Sequence, residues 1–281
     1  MNSIAAVKTR LTVLSFFQFF IWGAWLTTIG TYCTAGKGWT FPQFGAIFST
    51  LALSSILMPS LVGIIADKWL RAERLYGILH LVYGAFMLLI PNIAALQTAF
   101  PSLAKIEEYE LLYWIVFGGM LAYMPSISLS NSVSYRILKM NNLDVQKDFP
   151  PIRVWGTIGF IAAMWLTNLS GSKANAMQFY IAAVGAIALG VYAFTLPACL
   201  PQGKTNEKSN LFSQLGLNAF KLFLDYRMAL FFIFSILLGA ALQLSNMYGD
   251  AYLSSFPEGT LVEKYSTIIY SISQVSETIF I

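Results

Sequence analysis

The hydrophobic pattern of the chain consists of long apolar runs separated by short polar segments. Eight of these runs approach the 20 or so residues that a helix needs to cross the hydrocarbon core of a bilayer. Their predicted bounds are Leu11–Cys33, Phe41–Ala66, Leu75–Leu96, Leu111–Val133, Ile152–Leu169, Ala174–Leu196, Met228–Leu253 and Tyr265–Ile281. The pattern therefore predicts an all-α polytopic membrane protein.

The longest polar break follows the sixth run and divides the chain. It predicts an N-terminal six-helix bundle over residues 1–200, a cytoplasmic linker over 201–227, and the first two helices of a second bundle over 228–281. Within the linker, residues 210–226 fit either a short helix on the membrane surface or a plain connection. Because the last residue, Ile281, lies inside an apolar run, we expect the chain to be the N-terminal part of a longer protein with four further spans.

Composition and charge support this interpretation. Hydrophobic residues make up 57% of the chain, charged residues only 11%, and the mean hydropathy is +0.65, which few soluble domains approach. The net charge of +4 does not indicate nucleic-acid binding, because the basic residues are spread over short loops. Of the 17 lysines and arginines, thirteen fall on the side of the N-terminus and four on the other, which places the N-terminus in the cytoplasm.

No enzyme motif is present, and neither a cofactor nor a metal is expected. The chain lacks an HExxH sequence and a phosphate-binding glycine loop. Its two cysteines, Cys33 and Cys199, are predicted on opposite sides of the membrane. The single histidine, His80, is predicted at the cytoplasmic start of the third run, either at the interface or bonded to a neighbour, with a gating role as the alternative.

The start of the fifth run carries the first candidate site. Pro150 and Pro151 predict the beginning of a helix, because proline suits the first helical turn. Arg153 follows inside the apolar run and must face a protein interior or an aqueous cavity, since arginine in contact with lipid is costly. Helical spacing places Arg153, Thr157 and Phe160 on one face, which offers a cation, a hydroxyl and an aromatic ring.

Polar residues in the seventh and eighth runs form the second candidate set. Gln243 and Asn246 are three residues apart, and Gln274 and Glu277 repeat this spacing with an amide and an acid. Glu277 is interpreted as the only carboxylate well inside any run, and such a group often marks a proton pathway. For the three amides, hydrogen bonding between helices is the alternative. For Glu277 the alternative is an ion pair with Arg153, which is compatible with proton coupling.

The first run is rich in aromatic residues around Gln18. Gln18, Trp22 and Trp25 share one helical face and can form the wall of a site for a flat ligand. Packing within the bundle or against lipid explains such residues more simply, and we favour that interpretation.

The short segment between the second and third runs has the pattern of a gating loop. It resembles the loop signature of the major facilitator superfamily, in which a glycine is followed by an aspartate and basic residues. The functional hypothesis is a cytoplasmic latch in which the acid binds helix N-termini or a base across the half-interface when the inner gate is shut. The alternative is ordinary positive charge on the cytoplasmic side. The residues concerned are Gly63, Asp67, Lys68, Arg71 and Arg74.

Taken together, five longer motifs resemble those of the nucleoside-proton symporters of the major facilitator superfamily. The motifs are Phe20–Thr28, Ala66–Leu70, Phe149–Phe160, Gly239–Gly249 and Ser271–Thr278. The resemblance implies a fold of twelve helices in two bundles, of which about eight are present here, with alternating access to a central site. It assigns substrate binding to seven residues: Arg153, Thr157, Phe160, Gln243, Asn246, Gln274 and Glu277.

The same resemblance implies the function. We expect proton-driven uptake of a nucleoside such as uridine or adenosine across a bacterial inner membrane, with Glu277 as the proton-coupling candidate and a monomer in the lipid bilayer. The tenth helix of the family contributes an aromatic pair and an aspartate that this chain does not supply. The alternatives are the same fold carrying another hydroxylated solute, such as a sugar or glycoside, and a non-transporting fragment or subunit.

Overall fold

The computed structural model describes residues 3–201 and 217–280, without the side chains of Leu57, residues 217–220, Glu277 and Phe280. Its regular structure in these ranges is helical. The first range contains α1 (Ile4–Gly23), α2 (Ile29–Thr31), α3 (Phe41–Lys68), α4 (Ala72–Leu89), α5 (Ile93–Ala99), α6 (Glu108–Met140), α7 (Val145–Leu169) and α8 (Met177–Ala193). The second contains α9 (Tyr226–Ser254), α10 (Leu261–Lys264), α11 (Ser266–Tyr270) and α12 (Ile272–Phe280).

The prediction of a multi-pass membrane protein is confirmed. Six helical segments of the described chain are long and apolar enough to cross a membrane, with Ala72–Ala99 counted as one segment. The sixth predicted run corresponds to α8, which is apolar but only 17 residues long. The eighth is divided into α11 and α12, so the prediction of one continuous helix there is wrong.

The first predicted run is also divided. Helix α1 begins earlier than predicted, at Ile4, where the Ser3 hydroxyl accepts a hydrogen bond from the Ala6 backbone N–H, and it ends at Gly23. The chain then turns, and its polar side chains bond to other helices. The Thr28 hydroxyl donates to Gln178 at 2.8 Å. These long-range bonds offset the loss of regular helix, and the sequence pattern does not reveal them.

The prediction that Pro150 and Pro151 begin a helix is wrong by one and a half turns. Helix α7 begins at Val145, and the carboxylate of Asp144 accepts a hydrogen bond from the Gln146 backbone N–H at 2.8 Å. This acidic cap stabilises the first turn. The two prolines then lie in the second turn, where each removes one backbone hydrogen bond near the polar end of the helix.

The first eight helices pack into a bundle in which α1 lies against α7, α4 against α8, and α3 against α6. Helices α1 and α7 approach closely because Gly159 has no side chain: a Cβ there would overlap the backbone of Phe16. The second range reaches the bundle through α9, which contacts α2, and through α11 and α12, which contact α7. The residue bounds of the two predicted bundles stay a prediction, and the proposed surface helix at 210–226 lies largely outside the described residues.

Candidate functional site

A cavity of about 150 Å³ lies between α1, α7, α9 and α12. Six of the seven residues predicted for a substrate site line it together, although they come from three separate helices. The lining consists of Phe19, Trp22, Leu26, Arg153, Thr157, Phe160, Leu242, Gln243, Asn246 and Gln274. The cavity thus combines one cation, three side-chain amides, one hydroxyl and an aromatic wall.

Helix α7 contributes one face to the cavity, as its spacing predicts. Arg153, Thr157 and Phe160 all line it, and the last two are largely buried. The guanidinium carbon of Arg153 lies 3.9 Å from the ring centroid of Phe19, which places the cation over the aromatic face. Gly156 leaves room for this arrangement, because a Cβ there would meet both the guanidinium and the Phe19 ring.

The second range contributes the amides. Gln243 and Asn246 come from α9, and Gln274 comes from α12. The Oδ1 atom of Asn246 accepts a hydrogen bond from the Tyr270 hydroxyl at 3.1 Å. For Asn246 the two interpretations, substrate site and hydrogen bonding between helices, are compatible, since it bonds to a neighbouring helix and also faces the cavity.

Glu277 lies three residues after Gln274 in α12, but its side chain is outside the described part of the chain. Its predicted contact with substrate, its coupling to protons and its pairing with Arg153 stay predictions.

Gln18, Trp22 and Trp25 of the first predicted run differ in their surroundings: one lines the cavity, and two lie only in the packed bundle. Trp22 lines the cavity and meets Phe160 edge to face, with ring centroids 6.4 Å apart. Gln18 and Trp25 are buried in the bundle instead, where Gln18 bonds to Ser126 at 3.1 Å and Trp25 to Tyr83 at 2.7 Å. Trp22 thus packs within the bundle, as preferred, and also lines the cavity. Phe19 was missed, because its neighbour Arg153 is distant in sequence.

A second cavity, of about 670 Å³, adjoins the first and shares Trp22, Leu242 and Gln243 with it. It lies between α3, α6 and α9. Its polar lining includes Asn131 and Ser128 on α6. The two cavities thus lie side by side along the boundary between the first eight helices and α9.

The predicted gating loop is shorter than expected. Helix α3 extends to Lys68, so Gly63, Asp67 and Lys68 are helical, while Arg71 caps α4 and Arg74 is exposed.

Asp67 pairs with Arg136 of α6. Arg136 also donates to the backbone oxygen of Leu200 at 3.4 Å. The base that binds Asp67 here belongs to the same predicted bundle, and the latch across the half-interface, expected when the inner gate is shut, stays a prediction.

Besides Glu277, a second carboxylate within the predicted runs was passed over. Asp250, on α9, is completely buried and accepts hydrogen bonds from three hydroxyl groups. It was overlooked because it lies three residues from the predicted end of its apolar run. The residues that bind it belong to other helices, and no local pattern identifies them.

His80 is completely buried, so its interfacial placement is wrong. Its Nδ1 atom lies 3.0 Å from the backbone oxygen of Tyr76, as the alternative of bonding to a neighbour predicted.

The helical bundle, with a cavity between its two parts, has the architecture of the major facilitator fold. Residues 5–281 match the model of the family described as Nucleoside H+ symporter, and the chain belongs to this family.

The chain is similar to nucleoside permease NupG of Escherichia coli (strain K12), with 42% identity over 280 residues, 98% of this chain. Xanthosine permease of the same strain is 41% identical over 281 residues. The chain spans about 64% of the length of both relatives. Two crystal structures, of nucleoside transporter NupG and of a mutant, are 40% identical to it and superpose with TM-scores of 0.82 and 0.85. The superposition includes 66% of each crystal structure. It includes 100% of this chain for NupG and 98% for the mutant.

Proposed function

We propose that this chain carries the substrate site of a proton-coupled nucleoside transporter of a bacterial inner membrane, with the N-terminus in the cytoplasm. The observation that supports it most directly is the gathering of six predicted residues around one cavity between the two parts of the protein. Central sites between repeats are typical of transporters that work by alternating access. The names of its relatives point in the same direction.

The chemistry of the cavity suits a nucleoside. Phe160 and Trp22 offer aromatic surfaces on which a base stacks. The amides of Gln243 and Gln274 each offer a donor and an acceptor, which matches both the edge of a base and the hydroxyls of ribose. Arg153 adds donors only, and it is suited to carbonyl oxygens of the base. Glu277 is proposed to take up the coupled proton. Neither an enzymatic step, a cofactor nor a second copy of the chain is part of the proposal.

The test is uptake of labelled uridine and adenosine into membrane vesicles, with the proton gradient intact and collapsed. Two proteins are compared: the 281-residue chain alone, and the chain joined to the part of NupG that its match leaves uncovered. Gradient-dependent uptake by either form is expected. If neither form moves a nucleoside although both reach the membrane, the proposal fails. Competition by unlabelled sugars but not by unlabelled uridine would favour the sugar transporter instead.

Matched substitutions connect the activity to the cavity. Phe160→Ala removes an aromatic wall of the cavity, and we expect a large loss of uptake. Phe17→Ala removes a ring of the same size from the first helix, where Phe17 packs on Phe16 and Phe20 and is not among the residues that line the cavity. Equal losses in the two variants at equal protein levels would contradict the assignment of the site.

A further inference from the structure

The buried carboxylate of Asp250 lies where α9 meets the first part of the chain. Its Oδ2 atom accepts a hydrogen bond from the Thr31 hydroxyl at 2.5 Å. Its Oδ1 atom accepts from Ser266 at 2.8 Å and from Thr267 at 2.6 Å. All four side chains are almost completely buried. Both oxygens of the carboxylate are therefore occupied by donors inside the protein.

Only one of these bonds joins the two parts of the protein. Ser266 and Thr267 belong to α11, which follows α9 closely in the chain, whereas Thr31 ends α2 in the first part. The bonds from α11 hold the carboxylate in position, and the bond from Thr31 connects it across the boundary. The backbones also approach here, since a Cβ on Gly30 would lie 3.1 Å from the backbone oxygen of Met247.

Further polar contacts surround this bond at the end of the protein opposite the N-terminus. The Nζ atom of Lys173 lies 3.2 Å from Ser266 and 3.2 Å from the carboxylate of Glu263. Asn168 donates to the backbone oxygen of Lys264 at 3.1 Å. Hydrogen-bonded contacts of this kind open to water at a modest net cost, because water replaces the lost partners. Such an interface is suited to repeated opening.

Asp250 lies close to the cavity along α9. Asn246, which lines the cavity, and Asp250 are four residues apart and therefore lie on one face of α9, one turn from each other. They are the two buried residues of that helix. The bond between Thr31 and Asp250 thus lies at the boundary between α2 and α9, one helical turn from a residue that lines the cavity.

We propose that Asp250 is a positioning residue for transport that closes this end of the protein through its bond to Thr31. Entry of substrate from this end requires the bond to break. The inference rests on the alternating access of the proposed function, and it predicts that loss of the bond shifts the protein toward the state that is open at this end.

The experiment measures access to the cavity by thiol labelling. Leu26 lines the cavity, so Leu26→Cys in a Cys33→Ser, Cys199→Ser background provides one reporter thiol. A membrane-impermeant maleimide is applied to each face in vesicles of both orientations. Thr31→Val removes the donor, and labelling from one face only should become roughly tenfold faster, the change that loss of one such bond produces in a two-state equilibrium. Thr31→Ser keeps the donor and should restore the original rate.

Thr28→Val is the matched control. Thr28 is buried in the same turn region, but its hydroxyl bonds to Gln178 within the first part of the chain. If Thr31→Val labels no faster than Thr28→Val, or if Thr31→Ser is as fast as Thr31→Val, the inference is overturned. Where Thr31→Val does not reach the membrane, Asp250→Asn replaces it; a smaller acceleration is expected, and none would reject the inference.

Uptake of uridine in the same vesicles separates this inference from the proposed function. A protein that transports no nucleoside but still labels faster after Thr31→Val would retain the role of Asp250 in closure and lose the nucleoside assignment. A protein that transports uridine but labels no faster after Thr31→Val would retain the nucleoside assignment and lose the role of Asp250 in closure.

Discussion

The two ends of the protein differ in how the first eight helices meet the rest. At the end opposite the N-terminus, the first part bonds across the boundary, through Thr31 to Asp250 and through Lys173 to Glu263. At the end that carries the N-terminus, the ion pairs found in the described ranges join residues of the first part to each other. Lys8 pairs with Asp148, and Arg136 with Asp67.

The two ends of helix α9 differ in how far they are buried against the first eight helices. Most of its residues from 231 to 245 are exposed, whereas Asn246 and Asp250 are buried against the first part. Leu242 and Gln243 of the exposed stretch line both cavities, whereas Asn246 lines only the smaller one. Within the described ranges, α9 therefore contacts the first eight helices mainly through its last turns, near the end opposite the N-terminus.

The largest effect is expected at the ion pair that crosses the boundary. Lys173 is 14% exposed in its side chain and bonds to the side chain and the backbone oxygen of Glu263. Lys173→Met should lower stability by about 1.5–3 kcal/mol, because hydrogen bonds to a charged group are lost and a largely buried acceptor remains. Thermal unfolding in detergent measures the change.

Lys8→Met is the control at the other end. Lys8 is 43% exposed, and its pair with Asp148 faces solvent, so little change is expected. An equal fall in the melting temperature for both variants would remove the contrast between the two ends.

Two glycines of α9 offer a smaller and sharper test. Gly249 lies against the ring of Tyr270, whose hydroxyl bonds to Asn246, so Gly249→Ala forces the ring to move. We expect a loss of about 1–3 kcal/mol, as is typical of overpacking. Gly239 has open space around it, and Gly239→Ala should be neutral or stabilising by up to about 1 kcal/mol, because alanine favours the helix. Thermal unfolding measures the stability of both variants. A greater loss for Gly239→Ala than for Gly249→Ala would contradict the difference in packing along α9.

The smallest effect concerns Cys199, on the loop after α8. Burial raises the pKa of this thiol to about 11, the Glu73 carboxylate adds to the rise, and Arg136 opposes it. The thiolate is the reactive form, so in a Cys33→Ser protein labelling should increase about tenfold for each pH unit between 7 and 10. A plateau near pH 9 would show an ordinary thiol.

Glu73→Gln removes the negative charge that helps to raise the pKa of Cys199. We therefore expect a lower pKa and faster labelling at a given pH. Glu107→Gln, near the start of α6 at the opposite end, is the matched control and should leave the rate unchanged. A rate that rises equally in both variants would argue against a local charge effect.

Much of the site was accessible from sequence because its residues obey helical spacing. Arg153, Thr157 and Phe160 share a face at any tilt of α7, since their spacing alone determines it. That this face turns toward the protein follows from the cost of placing the Arg153 cation in contact with lipid. The partners of Asp250 and the place of Phe19 beside Arg153 were not accessible, because those contacts join residues far apart in the chain.

The sequence by itself determined that this is a helical membrane protein, where most of its spans lie, and which polar side chains enter them, because hydrophobicity and helical period are local properties. Only the tertiary structure decided where α1 ends, which of its aromatic residues face the cavity, that Asp67 pairs within its own bundle, and that Asp250 bonds to Thr31 across the boundary. These outcomes depend on close approach between helices, and the packing of distant residues sets that approach.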